Sequence, residues 1–173
     1  IKEDTIKKSL LCFKGVERRF SFVGKVNGIS IIDDYAHHPT EIKNTITAAR
    51  SLCSGKLIVI FEPHRYSRII DLYDDFINSF DKTDFLFVTN IYAAGEKHIE
   101  GISKESIIES IKDAGHKNVN FFENENSMEV ELVKISHKDD FIVFLGAGAS
   151  SKKARALEKN MLQLLKNNSN KLN

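Results

Sequence analysis

The stretch Ile31–Ile42, IIDDYAHHPTEI, turns an apolar run abruptly into two acids, a phenol and two imidazoles, with a proline directly after them. Imidazoles take up or release protons near neutral pH, and carboxylates and phenols accept or orient hydrogen bonds, so this composition suits acid–base or ligand-binding chemistry. A second such stretch, EPHRYSR (Glu62–Arg68), follows the apolar run LIVIF (Leu57–Phe61) directly. Arg65 and Arg68 stand three apart, which brings them to one face if the segment turns helically, and guanidinium forks suit a carboxylate or phosphate. The competing reading has each arginine capping a helix start or pairing with Asp71, Asp74 or Asp75. On the same grounds His64, taken alone, reads as a packed or solvated histidine.

His37, His38 and His64 invite a metal reading, but adjacent histidines usually point apart and no helical H-x-x-x-H or Cys/His framework supplies the other ligands. The expectation is no protein-held metal. GAGASS (Gly146–Ser151) follows the run FIVFL, and its glycines let backbone N–H groups face an anion or let loop and helix approach closely. As a dinucleotide fingerprint it fails, because Ser151 stands at the third glycine and little chain is left for the expected acid. An NAD oxidoreductase is therefore disfavoured. NIYAAGE (Asn90–Glu96) follows the run FLFVT and serves equally as a site loop or an ordinary turn.

The elements that must hold these residues are set by periodicity. Ile29, Ile31 and Ile32 suit a buried strand, and Pro39 suits the first turn of a helix, where its missing N–H has no partner to lose. The polar residues between them then lie at the mouth of a βα unit, where open α/β sheets bind ligands. Ile42, Ile46, Ala49 and Leu52 predict the next helix, ended by Gly55. Upstream, Arg19–Val26 and Gly28–Asp33 predict an antiparallel hairpin turned at Asn27-Gly28. LIVIF, FLFVT (Phe85–Thr89), VNFF (Val119–Phe122) and FIVFL (Phe141–Leu145) predict further strands, the first, second and fourth buried on both faces. One helix is predicted through Ile69, Leu72, Tyr73, Phe76, Ile77 and Phe80, one at Ile107, Ile108 and Ile111, one at Met128, Leu132 and Ile135, and a last from about Ser151 to Leu165. Alternating strands and helices predict an α/β fold: a Rossmann-like, doubly wound, mostly parallel sheet with right-handed crossovers and an antiparallel hairpin at the N-terminal side. Residues 167–173, NNSNKLN, are too polar to pack and read as a disordered tail.

At 173 residues and 42% hydrophobic content the chain suits one domain with a short appendage. The appendage is residues 1–13, where Ile6, Leu10 and Phe13 recur at helical spacing behind Asp4 or Thr5 as a cap, as at the end of a preceding unit; Gly15 breaks it. A net charge of +1 from interspersed charges argues against nucleic acid or an anionic membrane as the main partner. Cys12 and Cys53 lie in apolar, helical-looking settings, which predicts buried thiols in a reducing cytoplasm. No run approaches the ~20 apolar residues of a spanning helix, and there is no signal-peptide pattern. The first residue is Ile, so the chain reads as a piece of something longer.

With these stretches side by side, the sequence resembles the C-terminal domain of the Mur ligases, in the branch that adds L-alanine. FKGVERRF, IIDDYAHHPTEI, FEPHRYSR with DLYDDF, NIYAAGEKHIEG and FLGAGA occur in family order from Phe13 to Ala149. His98 departs from the family, which commonly has proline shortly after its Gly-Glu pair. The resemblance implies an ATP-dependent ligase of early peptidoglycan synthesis that joins L-alanine to the lactyl carboxylate of UDP-N-acetylmuramate through an acyl phosphate, with magnesium neutralising the phosphates. Carried over by position, Arg19 and Asp34 match nucleotide-contacting residues. Tyr35, His37, His64, Arg65 and Arg68 match positions around the amino acid and the muramoyl acid, with His37 and His64 catalytic. No G-x-x-x-x-G-K-[ST] loop occurs in this chain; in the family that loop, the carbamylated lysine and the other metal-binding residues belong to the central domain. The chain is thus expected to be the third domain (14–166), with the central domain's last helix at 1–13, to partner its own N-terminal and central domains, and to be inactive alone. The alternative is a free-standing nucleotide- or anion-binding module without catalysis.

Overall fold

The computed structural model describes residues 1–12, 15–122 and 127–169. Its centre is a six-stranded sheet built from β1 (Ser21–Val26), β2 (Ile29–Asp34), β3 (Leu57–Phe61), β4 (Phe85–Val88), β5 (Val119–Asn120) and β6 (Phe141–Leu145), in the order β1-β2-β6-β3-β4-β5. β1 pairs antiparallel with β2, and every other pairing is parallel. The hairpin turns where expected, with Asn27 and Gly28 both at positive φ (54° and 84°), as a two-residue turn between twisted strands requires.

Each central strand is apolar at successive positions because both its faces are covered, and alternate side chains feed separate cores. Val59, Phe61, Val143 and Leu145 face Ile42, Ile46 and Ala49 of α2 (Pro39–Leu52), Ile69 of α3 (Tyr66–Asp71), Phe76 of α4 (Tyr73–Ile77) and Ile107 and Ile111 of α5 (Lys104–Asp113). Ile58, Ile60, Ile142 and Phe144 face Met128 and Leu132 of α6 (Ser127–Ile135) and Ala154, Leu157 and Met161 of α7 (Ser150–Ser169). The result is three layers with helices on both sides, the doubly wound, mostly parallel α/β fold expected.

Several local expectations are corrected. The helix drawn through Ile69 to Phe80 is two, broken at Leu72 (φ −126°, ψ 28°), and Phe80 lies beyond both; periodicity is blind to the break because Phe76 and Phe80 still reach Phe61, at ring separations of 5.9 and 5.2 Å. β1 begins at Ser21 rather than Arg19, because Arg18 and Phe20 take positive φ while Phe20 donates its N–H to Asp34. α2 caps on Cys53 rather than ending at Gly55, and Leu52 is exposed. Gly55 serves a different need: a Cβ there would lie 2.8 Å from the backbone of Asp139. β5 is only two residues long, and Phe122 stacks on Phe87 at 4.3 Å outside the ladder. α1 (Glu3–Leu11) starts after Lys2 with no side-chain cap, so Asp4 and Thr5 lie inside its first turn. Cys53 is buried but Cys12 is exposed, since α1 buries none of its residues; Phe13 lies outside the described residues. α7 runs through Ser169, beyond Leu165, and the end of the predicted tail, 170–173, is outside the described residues.

Candidate functional site

The carboxyl ends of β2, β3, β4 and β6 stop at one edge, so the loops after Asp34, Phe61, Val88 and Leu145 meet there. From them come four rings in sequence. Tyr35 meets His37 edge to face (5.0 Å), His37 meets His64 (5.5 Å), and His64 stacks on Tyr92 (5.3 Å, 18°). The stretches 31 to 42 and 62 to 68, separate in sequence, therefore come together in one cluster.

The two site histidines are held in opposite tautomers by what they touch. His37 Nδ1 lies 2.8 Å from the Tyr35 carbonyl, which can only accept, so Nδ1 carries a hydrogen, and in the neutral ring Nε2 offers a lone pair. His64 Nδ1 lies 3.2 Å from Arg68 Nη1, which can only donate, so here Nδ1 accepts and Nε2–H is the free donor. Burial, with the charges of Arg68 and Arg65 and against that of Glu96, pushes the His64 imidazole below its usual range. One ring can take a proton and the other can donate a hydrogen bond. His38 points away, as expected for the neighbour of His37: it is the N-cap of α2, accepting the Thr40 N–H on Nδ1.

Glu41 completes that cap and ties it to the site. Its Oε2 accepts the N–H groups of His37 and His38, and its Oε1 lies 3.4 Å from Arg19 Nη1. Burial alone would raise its carboxyl, but the His37 amide and ring together with Arg19 prevail and lower it. Arg65 and Arg68 diverge: Arg68 turns back to His64, whereas Arg65, held at φ 69°, reaches Glu96 at 3.8 Å. Among the described residues neither pairs with Asp71, Asp74 or Asp75. Glu96 also accepts the N–H and hydroxyl of Ser67, which hold its carboxyl below the usual range.

Asp34 is placed differently from a side chain facing solvent. It is 5% exposed, and its two oxygens accept the N–H groups of Phe20 and Ala36, each at 2.7 Å. It thereby shapes the turns that carry Arg19 and Tyr35. Sequence reasoning also missed Arg18, whose guanidinium lies 4.7 Å from the Tyr35 centroid, donates to the Gly146 carbonyl at 2.6 Å and approaches Asp33 at 3.7 Å. The doubled arginine of ERRF was the available signal. Glu62 was missed as well: it accepts the N–H groups of Gly148 and Ala149, so the anion that the glycine loop faces is the chain's own carboxylate. Among the described residues no three His, Cys, Asp or Glu side chains gather as metal ligands. No helix among them is long and apolar enough to cross a membrane.

Residues 18–148 match the family model for the Mur ligase glutamate ligase domain. The chain belongs to the Mur ligase family. This Mur ligase domain is 45% identical over 157 residues to the UDP-N-acetylmuramate–L-alanine ligase of Agrobacterium fabrum, covering 91% of the chain and 33% of that protein. It is 44% identical to the ligase of the same name from a Chelativorans species, covering 92% and 34%. It thus spans about a third of the length of the curated relatives it matches. The crystal structure of UDP-N-acetylmuramate-alanine ligase MurC from Thermotoga maritima superposes with a TM-score of 0.69 at 27% identity, covering 92% of this chain and 35% of that one. A solved domain of a ligase from Haemophilus ducreyi shares the fold, with a TM-score of 0.60 at 20% identity, over 83% of this chain and 99% of that one.

Proposed function

We propose that this domain is the amino-acid-binding third of an ATP-dependent ligase that joins L-alanine to the lactyl carboxylate of UDP-N-acetylmuramate in peptidoglycan synthesis in the cytoplasm. The observation that carries the reading is the junction of DDYAHH and PHRYSR in one cluster of imidazole, guanidinium and phenol groups, in a chain 45% identical to a ligase of that name. The arginines supply planar donors for a carboxylate, and the Nε2–H of His64 donates to an oxygen that gains charge. The Nε2 lone pair of His37 accepts a proton from the attacking amine. Arg19, half-exposed beside Tyr35, contacts the nucleotide, and Asp34 contributes through the backbone it holds.

Residues 1–13 belong with the central domain in this reading. The support is that α1 buries nothing and leaves Ile6, Leu10 and Leu11 exposed, an apolar surface that this domain does not use. Phosphate positioning and the magnesium ligands are assigned to that domain, because this chain has no phosphate-binding loop.

The test is to assay the chain alone and joined to the upstream two thirds of its gene product. The joined protein should release phosphate only when ATP, L-alanine and UDP-N-acetylmuramate are all present, and the chain alone should release none. Substrate-dependent phosphate release by the chain alone, free of host enzyme, would refute the fragment reading. A joined protein that binds substrates but never turns over would leave the binding-module reading instead.

A further inference from the structure

We propose that Glu62 and Tyr92 are positioning residues for the His64 imidazole, Glu62 by clamping the glycine loop after β6 and Tyr92 by carrying that clamp to His64 as a stacked ring. The inference rests on the reading of His64 as a site residue, and its test needs no turnover.

Glu62 directly follows β3 and is 5% exposed. A carboxylate so buried must have its oxygens filled, and they are, by the N–H groups of Gly148 (2.9 Å) and Ala149 (3.1 Å). The end of β3 does not need this side chain. Its main chain is already tied on both sides, by Glu62 N–H to Leu145 O at 2.8 Å and Thr89 N–H to Phe61 O at 2.9 Å. What the side chain fixes is the loop.

The loop in turn supports Tyr92. A Cβ on Gly148 would lie 2.8 and 2.9 Å from Cδ2 and Cγ of the Tyr92 ring, and one on Gly146 would lie 2.8 Å from Cβ of Glu62. The glycines are small because these two side chains lie against them. Tyr92 is strapped to the segment after Glu62 by its N–H to Pro63 O (2.8 Å) and by Arg65 N–H to its own carbonyl (2.9 Å). Its ring, although 46% exposed, lies between Gly148 and His64. That is the place of a plate holding an imidazole rather than of a core side chain. Stacked on Tyr92 and held at Nδ1 by Arg68, His64 keeps Nε2–H turned to the site.

The test is the ¹⁵N-imidazole NMR spectrum of His64 across a pH titration, with melting temperatures, in this 173-residue chain and its variants. The charged or titratable groups around His64 are Arg65 and Arg68 from its own segment, His37 after β2 and Glu96 after β4, and all are kept. In the parent, His64 should show the Nε2–H tautomer and titrate below 6.5, its ordinary value. In Tyr92→Ala its titration should rise toward that value and its two nitrogen shifts should converge, while Tyr92→Phe should match the parent. Glu62→Ala should behave as Tyr92→Ala, and Glu62→Gln, which keeps one acceptor oxygen, should fall between. A folded Tyr92→Ala with parental His64 tautomer and titration overturns the proposal. If Glu62→Ala does not fold, Gly148→Ala decides, because a methyl there meets both the Glu62 carboxylate and the Tyr92 ring and so disturbs both parts of the clamp while their residues stay: a shifted His64 supports the clamp, and a parental one overturns it. An inactive joined enzyme whose His64 responds as stated would count against the ligase reading alone.

Discussion

Replacing Asp34 should cost stability before it costs chemistry. Its two oxygens are the partners of the Phe20 and Ala36 N–H groups, both at 2.7 Å, at a residue only 5% exposed. Asp34→Ala leaves the buried Ala36 donor and the half-buried Phe20 donor unpaired, at roughly 1–3 kcal/mol for the first and less for the second, or roughly 2–4 kcal/mol together. At about 2–4 °C per kcal/mol for a domain of this size, the melting temperature should fall by at least about 4 °C. Asp34→Asn keeps one acceptor oxygen but turns an NH₂ toward the second amide, so it should lose about half as much. The assay is thermal unfolding of this chain followed by circular dichroism, with Arg19→Ala as the comparison. Arg19 is half-exposed and touches Glu41 at 3.4 Å, so its loss should leave melting within about 1 °C. In the joined enzyme both variants should weaken ATP use, Arg19→Ala by losing the contact and Asp34→Asn by loosening the turn beneath it. An Asp34→Ala chain that melts like the parent would refute the reasoning, because the two amides would then have found other partners.

Arg68→Ala should lower turnover of the joined enzyme by one to several powers of ten, since a charge-assisted bond contributes about 1.5–3 kcal/mol and a freed His64 adds misplacement; Arg68→Lys should rescue poorly, and near-normal kinetics with lowered melting would mark the arginine as structural. The His64 and His116 imidazoles are both pushed below 6.5, chiefly by burial, so the unfolded chain binds more protons there and these groups favour folding above about pH 6.5. Melting temperature should therefore fall from about pH 7.5 to about 5.5, and the fall should shrink in a His64→Gln, His116→Gln double variant; an unchanged slope would count against it. Gly55→Ala should melt at least about 2 °C lower, because its methyl would lie 2.8 Å from the Asp139 main chain, and overpacking against backbone costs about 1–3 kcal/mol.

The sequence alone determined the features whose physics is local. Asn27-Gly28 needed positive φ at both positions, Pro39 could only open a helix, and LIVIF and FIVFL were apolar at every position because each face of a central strand meets a helix. It also located the ionisable groups at the strand ends, because each cluster of them directly follows an apolar run. Tertiary structure decided how those groups pair. The two histidines look alike in sequence, yet a carbonyl beside one and a guanidinium beside the other give them opposite tautomers. Nothing in their spacing says that backbone amides fill the oxygens of Asp34 and Glu62, and Arg65 and Arg68 share a spacing but not a partner. The break at Leu72 was hidden for the same reason: contact with Phe61 fixes where a ring lies, and spacing does not record how the backbone brings it there.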